Sequence, residues 1–254
     1  MKPAIPLIIH IPHASACIPY MDGYLAGPGI IDEEIKKLTD WFTDELFHFP
    51  EMHNDEIVAD FSRVFCDVER FEDDADEPMA KRGMGVLYTT TDEGAPLREV
   101  TPQLRKRIIT DFYRPHHQRL FQAVASHLQK YEQARIIDAH SFSDTPFRRD
   151  SDQEAHRPDF CIGTDRFHTP KEWIDFSIAY FRDKGYSLAI NRPYAGTIVP
   201  LDHLGKEARV KSIMLEVNRK LYLNNAGDER SEAFPEVKAT IEGFLKRIRR
   251  CDHY

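Results

Sequence analysis

Apolar residues recur along this chain with two different periods, and their alternation predicts an α/β fold. Residues 6–10 form a short apolar run that reads as a first buried strand. Between 32 and 48, Ile35, Leu38, Phe42 and Leu46 recur at helical spacing and predict a helix. Residues 57–61 and 63–68 read as two strands, and 84–88 as a third short one. A long helix is expected over 101–131, with Leu104, Ile108, Phe112, Leu120, Val124 and Leu128 on one stripe and Pro115 kinking or splitting it. Residues 135–137 form a strand that ends in polar residues, followed by a polar loop over 142–158. Strands are expected at 160–162, 187–190 and 212–217. Thr169-Pro170-Lys171-Glu172 has the pattern of a capped helix start, with Thr169 as cap and Glu172 closing a capping box, and Gly185 suits that helix's end. Residues 234–248 form a closing helix.

No repeat, low-complexity stretch or Gly/Ser linker interrupts this alternation, so one domain over 1–254 is expected, with helices on the faces of a sheet. The composition, 41% hydrophobic and 30% charged, is that of an ordinary globular chain. A net charge of −8 argues against general nucleic-acid binding. No apolar run approaches membrane-spanning length, and the first ten residues are too short an apolar stretch for a signal peptide, so a cytoplasmic location is expected. Cys17, Cys66, Cys161 and Cys251 are scattered without a Cys-x-x-Cys pair and read as reduced thiols.

Three polar clusters follow apolar runs. In Asp138-Ala139-His140-Ser141 the carboxylate and the imidazole are two residues apart, so in a strand they point to one face. That is what a metal-binding histidine with an orienting carboxylate requires, and equally what a core hydrogen-bonded pair requires. His13 follows the first strand behind the stiff Pro12, at the carboxyl end where open α/β sheets bind ligands; a structural histidine is the alternative. Glu216 ends Ile213-Met214-Leu215 and shares a face with Asn218; a buried carboxylate there needs a partner or a function. Arg63 and Arg70 flank one segment, as a guanidinium clamp for a carboxylate or as salt-bridged surface arginines. Asn191-Arg192-Pro193-Tyr194-Ala195-Gly196-Thr197 looks like a binding loop, with Tyr194 offering a ring and a hydroxyl. Neither a phosphate-binding glycine motif nor a nucleophile elbow occurs.

In order along the chain, Pro12-His13-Ala14-Ser15, Leu38-Thr39-Asp40-Trp41, Ser62-Arg63, Asp67-Val68-Glu69-Arg70-Phe71, Glu77-Pro78-Met79, Gly83-Met84-Gly85, Asp138-Ala139-His140-Ser141, Pro158-Asp159-Phe160, Asn191-Arg192-Pro193-Tyr194 and Glu216-Val217-Asn218-Arg219 resemble the N-formylglutamate amidohydrolase family over nearly its whole length. The resemblance implies a three-layer α/β/α fold with a mixed central sheet, similar to zinc-dependent exopeptidases and aspartoacylase-like deacylases. It implies hydrolysis of the N-formyl amide of N-formyl-L-glutamate to formate and glutamate, in the setting of histidine breakdown that the family name suggests. Another N-acyl amino acid as substrate, or a catalytically silent binding protein of the same fold, are the alternatives. By the same resemblance, His13 and His140 are ligands of Zn2+ or another divalent metal, and Asp138 orients His140. Glu216 is the general base for a metal-bound water, and Arg63 stabilises the oxyanion. Arg70, helped by Tyr194, Asn218 or Arg219, holds the small anionic substrate. The related exopeptidases take a ligand from a Glu three residues after the first His, a position that is Ala16 here. Asp40, expected in mid-helix, is therefore assigned as the third ligand, with Glu69 in reserve.

Overall fold

The computed structural model describes residues 5–224 and 226–251; the first four residues of the N-terminal stretch lie outside them. The apolar runs form six strands: β1 (Ile8–Ile11), β2 (Asp55–Val58), β3 (Ala134–Phe142), β4 (Phe160–Gly163), β5 (Leu188–Ile190) and β6 (Val210–Asn218). They make one sheet in the order β2-β1-β3-β6-β4-β5. β2, β1, β3 and β6 run parallel, while β4 is antiparallel to β6 and parallel to β5, so the sheet is mixed. The helices are α1 (Pro28–Leu38), α2 (Thr43–Leu46), α3 (Pro102–Ile108), α4 (Arg114–Tyr131), α5 (Lys171–Asp183) and α6 (Phe234–Ile248).

Side chains alternate across the strands, and the two faces differ in kind. Ile9, Ile11, Ile137, Ala139, Ile213, Leu215 and Val217 point to one face, where they pack with Leu46, Trp173, Phe181, Ile241 and Phe244 from α2, α5 and α6. The opposite face carries Ile8, Ile136 and Val210 under Leu120 and Val124 of α4. On this second face the even positions turn polar: His10, Asp138, His140, Ser212, Glu216 and Asn218 are all buried there. The register sets His10 beside Asp138 and His140 beside Glu216. The three-layer α/β/α arrangement expected from the sequence is what forms.

Several local expectations differ. The helix expected over 32–48 is two helices: α1 ends at Leu38, Thr39 is extended, and Phe42 takes a left-handed φ of 61° before α2. This break turns Asp40 inward, with its N–H donating to the His13 carbonyl at 2.9 Å. Residues 63–68 form turns rather than a strand, because Val64, Phe65, Cys66 and Val68 are buried among side chains from loops and α3 instead of against a neighbouring strand. Residues 84–88 contribute a single bridge, Met84 to Tyr88. The 101–131 helix is continuous, with a π-helical turn at Ile109–Tyr113 that accommodates Pro115. That turn shifts the buried stripe from Leu104 and Ile108 to His116, Leu120, Val124 and His127. Thr169 does not cap α5. Its hydroxyl accepts from the Asp165 N–H and donates to the Ser212 carbonyl at 2.7 Å, tying the helix start to β6. β3 runs on through Asp138 and His140 to Phe142, nine residues in all.

Candidate active site

Each polar residue of the second face arrives from a different element. His13 follows β1, Asp40 sits in the link between α1 and α2, His140 lies in β3 and Glu216 in β6. Three of them converge, because one ligand atom each from His13, Asp40 and His140 lies within 4.8 Å of the others. His140 Nδ1 is 3.2 Å and His13 Nδ1 3.6 Å from the same atom, Asp40 Oδ2. The structure thus brings Asp40, rather than Glu69, to the two histidines.

Behind each imidazole stands a buried aspartate. His13 Nε2 donates to Asp67 Oδ1 at 2.8 Å, and His140 Nε2 to Asp138 Oδ1 at 3.1 Å. Holding the proton on Nε2 leaves each Nδ1 lone pair facing Asp40. His13 Nδ1 is buried without a hydrogen-bond partner. Two imidazole nitrogens and a carboxylate oxygen, with both rings oriented from behind, fit a divalent cation such as zinc. Burial opposes the charge on Asp40, but the neighbouring His13 and His140 rings and the Arg219 guanidinium hold its carboxyl well below the usual range. Burial opposes charge on Asp67 too, and Arg63 and Arg70 outweigh it.

Asp67 was assigned no role from the sequence, yet it organises this wall of the site. Oδ2 accepts from Arg63 Nη2 at 3.0 Å and from the Tyr88 hydroxyl at 2.5 Å, and Arg70 Nε lies 3.6 Å away. Arg63 and Arg70 both line a cavity of about 460 Å³ that also includes His13, Asp40, His140, Tyr194, Glu216 and Arg219. Glu216 Oε2 is buried in that cavity wall without a partner. Burial, aided by the negative charge on Asp40, pushes the Glu216 carboxyl up to about 8 against the pull of His140, Arg219 and Arg63. A carboxylate so placed is suited to accept and return a proton near neutral pH.

Two residues expected to grip the substrate are occupied otherwise. Asn218 is fully buried and outside the cavity lining; its amide donates to Asp144 and to the Pro158 carbonyl, each at 2.9 Å, and its oxygen accepts from the Lys220 N–H. Although it shares a strand face with Glu216, it ends the strand and closes a turn. Arg219 does reach the cavity, but its nitrogens donate to Asp40 Oδ1 at 2.8 Å, Lys37 carbonyl at 2.6 Å and Ser141 Oγ at 3.1 Å. Its place is behind Asp40. Tyr194 lines the cavity with its ring while its hydroxyl donates to Asp150 at 3.1 Å. Glu69 lies instead beside His10, 3.2 Å from Nδ1.

The mixed α/β sheet thus presents a cation-compatible His/Asp cluster beside an unpaired glutamate and two arginines in one cavity wall. Residues 5–223 match the profile of the N-formylglutamate amidohydrolase family, and the chain belongs to that family. It is 31% identical over 169 residues to the N-formylglutamate deformylase of Pseudomonas putida, a match that spans 63% of this chain and 59% of that protein's length. Its fold superposes on the N-formylglutamate amidohydrolase of Ralstonia eutropha with a TM-score of 0.84 at 25% identity, covering 97% of this chain and 94% of the other. A gene product of Agrobacterium tumefaciens shares the fold at a TM-score of 0.66 and 17% identity, over 97% of this chain and 89% of that one.

Proposed function

We propose that this protein hydrolyses the N-formyl amide of N-formyl-L-glutamate, giving formate and L-glutamate, with a divalent cation, zinc by preference, held by His13, Asp40 and His140. The observation that carries the reading is the convergence of these three residues with Glu216 and with Arg63 and Arg70 on one cavity. Family membership supports the choice of substrate. A zinc ion held there supplies Lewis acidity, lowering the pKa of water and polarising a carbonyl.

Glu216 takes a proton from water as the water oxygen bonds to the formyl carbon. The proton then passes from Glu216 to the amide nitrogen as the C–N bond breaks. Arg63, fixed by Asp67 and Tyr88, lines the cavity and stabilises the oxyanion. Arg70 is fixed through Nε on the Met84 carbonyl at 3.1 Å and keeps its terminal nitrogens for a substrate carboxylate. Arg219 holds Asp40 in place.

Formate release from N-formyl-L-glutamate, measured after chelation and again after zinc is restored, tests the reading. Formate that appears with zinc and vanishes on chelation is the expected result. Zinc bound without formate, together with turnover of N-acetyl-L-glutamate, would assign a different acyl substrate. Absence of both bound metal and formate would overturn the reading.

A further inference from the structure

The two aspartates behind the histidines are supported differently. Asp67 is surrounded by Arg63, Arg70 and Tyr88. Asp138 is fully buried in mid-sheet, where Oδ2 accepts from the Ile198 N–H at 2.9 Å. Its Oδ1 carries two imidazoles, His140 Nε2 and, at 2.8 Å, His10 Nδ1. His10 is itself fully buried, and its register position on β1 sets it beside Asp138. Its second nitrogen, Nε2, lies 2.9 Å from Nε2 of His116. His116 comes from α4, on the inward stripe created by the π-helical turn before Arg114.

Between two nitrogens 2.9 Å apart, one donates. Burial disfavours charge on His10, but the Asp138 and Glu69 carboxylates outweigh it and push its pKa up to about 9. Burial and the charge on His10 drive the His116 pKa far down. His10 Nδ1 donates to the Asp138 carboxylate, and its Nε2 shares a hydrogen bond with His116 Nε2. A buried carboxylate is costly without such a partner, and a carboxylate free to rotate cannot hold an imidazole in one orientation.

We propose that His10 is a positioning residue of the cation site: it holds Asp138 Oδ1 so that His140 is gripped through Nε2 and presents Nδ1 beside His13 and Asp40, while His116 fixes His10 from α4. The inference rests on the reading under Proposed function. It extends the site by two residues that touch neither the cavity nor the histidines' ligating atoms.

The test uses two amide variants that separate the two hydrogen bonds. In His10→Asn the amide nitrogen stands near the place of Nδ1 and still reaches Asp138. In His10→Gln it stands near Nε2 and reaches His116 instead. Zinc affinity is read by competition with a chelator, alongside the unfolding temperature of each metal-free variant. His10→Gln is expected to bind zinc about 10- to 100-fold more weakly, with His10→Asn close to the unaltered protein. Equal losses in both variants, or no loss in either, would overturn the proposal. So would two zinc ions per unaltered chain falling to one in the variants, since His10, Glu69 and Asp138 would then be a second metal site. Absence of zinc binding in the unaltered protein would instead refute the proposed function. Nitrogen-15 spectra of the unaltered protein make the question independent of the variants' folding. His10 should show a protonated Nδ1 with and without zinc, and an Nδ1 without a proton would also overturn the proposal.

Discussion

At the scale of single residues, the strand-end polar groups were readable because they interrupt apolar runs. His13, Asp138, His140 and Glu216 each announce themselves that way. Their partners do not. Asp67 lies 54 residues from the histidine it holds, and neither periodicity nor composition links the two. Asp67→Asn removes the charge-assisted bond behind His13, so zinc affinity measured against a chelator should fall about 10- to 100-fold. Glu216 is outside the cation cluster, and its carboxylate carries the proton in the proposed reaction. Glu216→Gln should therefore lower the rate of formate release about 100- to 10,000-fold while zinc binding stays intact. Parallel loss of zinc would show Glu216 to be a ligand instead. Asn218 shows the opposite case: sharing a face with Glu216 placed it on the strand, but the strand ends there and the structure bonds the amide to Asp144 and Pro158.

At the scale of elements, the closing helix was legible to the residue, 234–248, because its apolar stripe is uninterrupted. Phe244 is fully buried, its ring stacked on Phe176 with centroids 5.6 Å apart and tilted against Phe181 at 5.1 Å. Phe244→Ala should cost about 3–5 kcal/mol of stability, read from urea unfolding. The helices broken or widened in the structure were less legible. The split at Thr39–Phe42 serves the inward turn of Asp40, and the π-helical turn redirects the stripe toward His116, and both depend on distant contacts. Gly163 in β4 has no side chain because the returning 191–198 segment passes over it: a Cβ there would lie 2.2 Å from the Gly196 carbonyl. Gly163→Ala must displace the segment that carries Tyr194 and anchors Asp138 through Ile198. Overpacking of this kind costs about 1–3 kcal/mol, and a KM for N-formyl-L-glutamate left at its original value would show that the segment does not shape the cavity.

At the scale of the whole molecule, cation binding and folding are linked, since the three candidate ligands come from β1, the α1–α2 link and β3. Zinc at 100 times its dissociation constant should stabilise the fold by about 2.7 kcal/mol, visible as a rise in unfolding temperature that chelation reverses. Acidity should act in the other direction. His117, tilted against Tyr113 with ring centroids 4.2 Å apart, has its pKa lowered from 6.5 to about 4 by burial and by the charge on His10. The unfolded chain then binds a proton that the folded chain refuses. His117 stabilises the fold fully above pH 6.5, and that contribution is lost as the pH falls toward 4. The unfolding free energy should decline less steeply across this window in His117→Gln than in the unaltered protein. Among the described residues, no helix is long and apolar enough to cross a membrane.

The sequence by itself determined the alternation of strands and helices, the layered α/β class and which polar residues would sit on or beyond the strands. Those properties are local, because side-chain direction repeats every two residues in a strand and roughly every three to four in a helix. Tertiary structure alone decided that Asp40 would meet His13 and His140, that Asp67 and not a neighbour in sequence would hold His13, and that Arg219 would hold Asp40. The physical reason is that a buried charge is tolerated only beside its partner, and which groups become partners depends on the path of the chain across tens of residues.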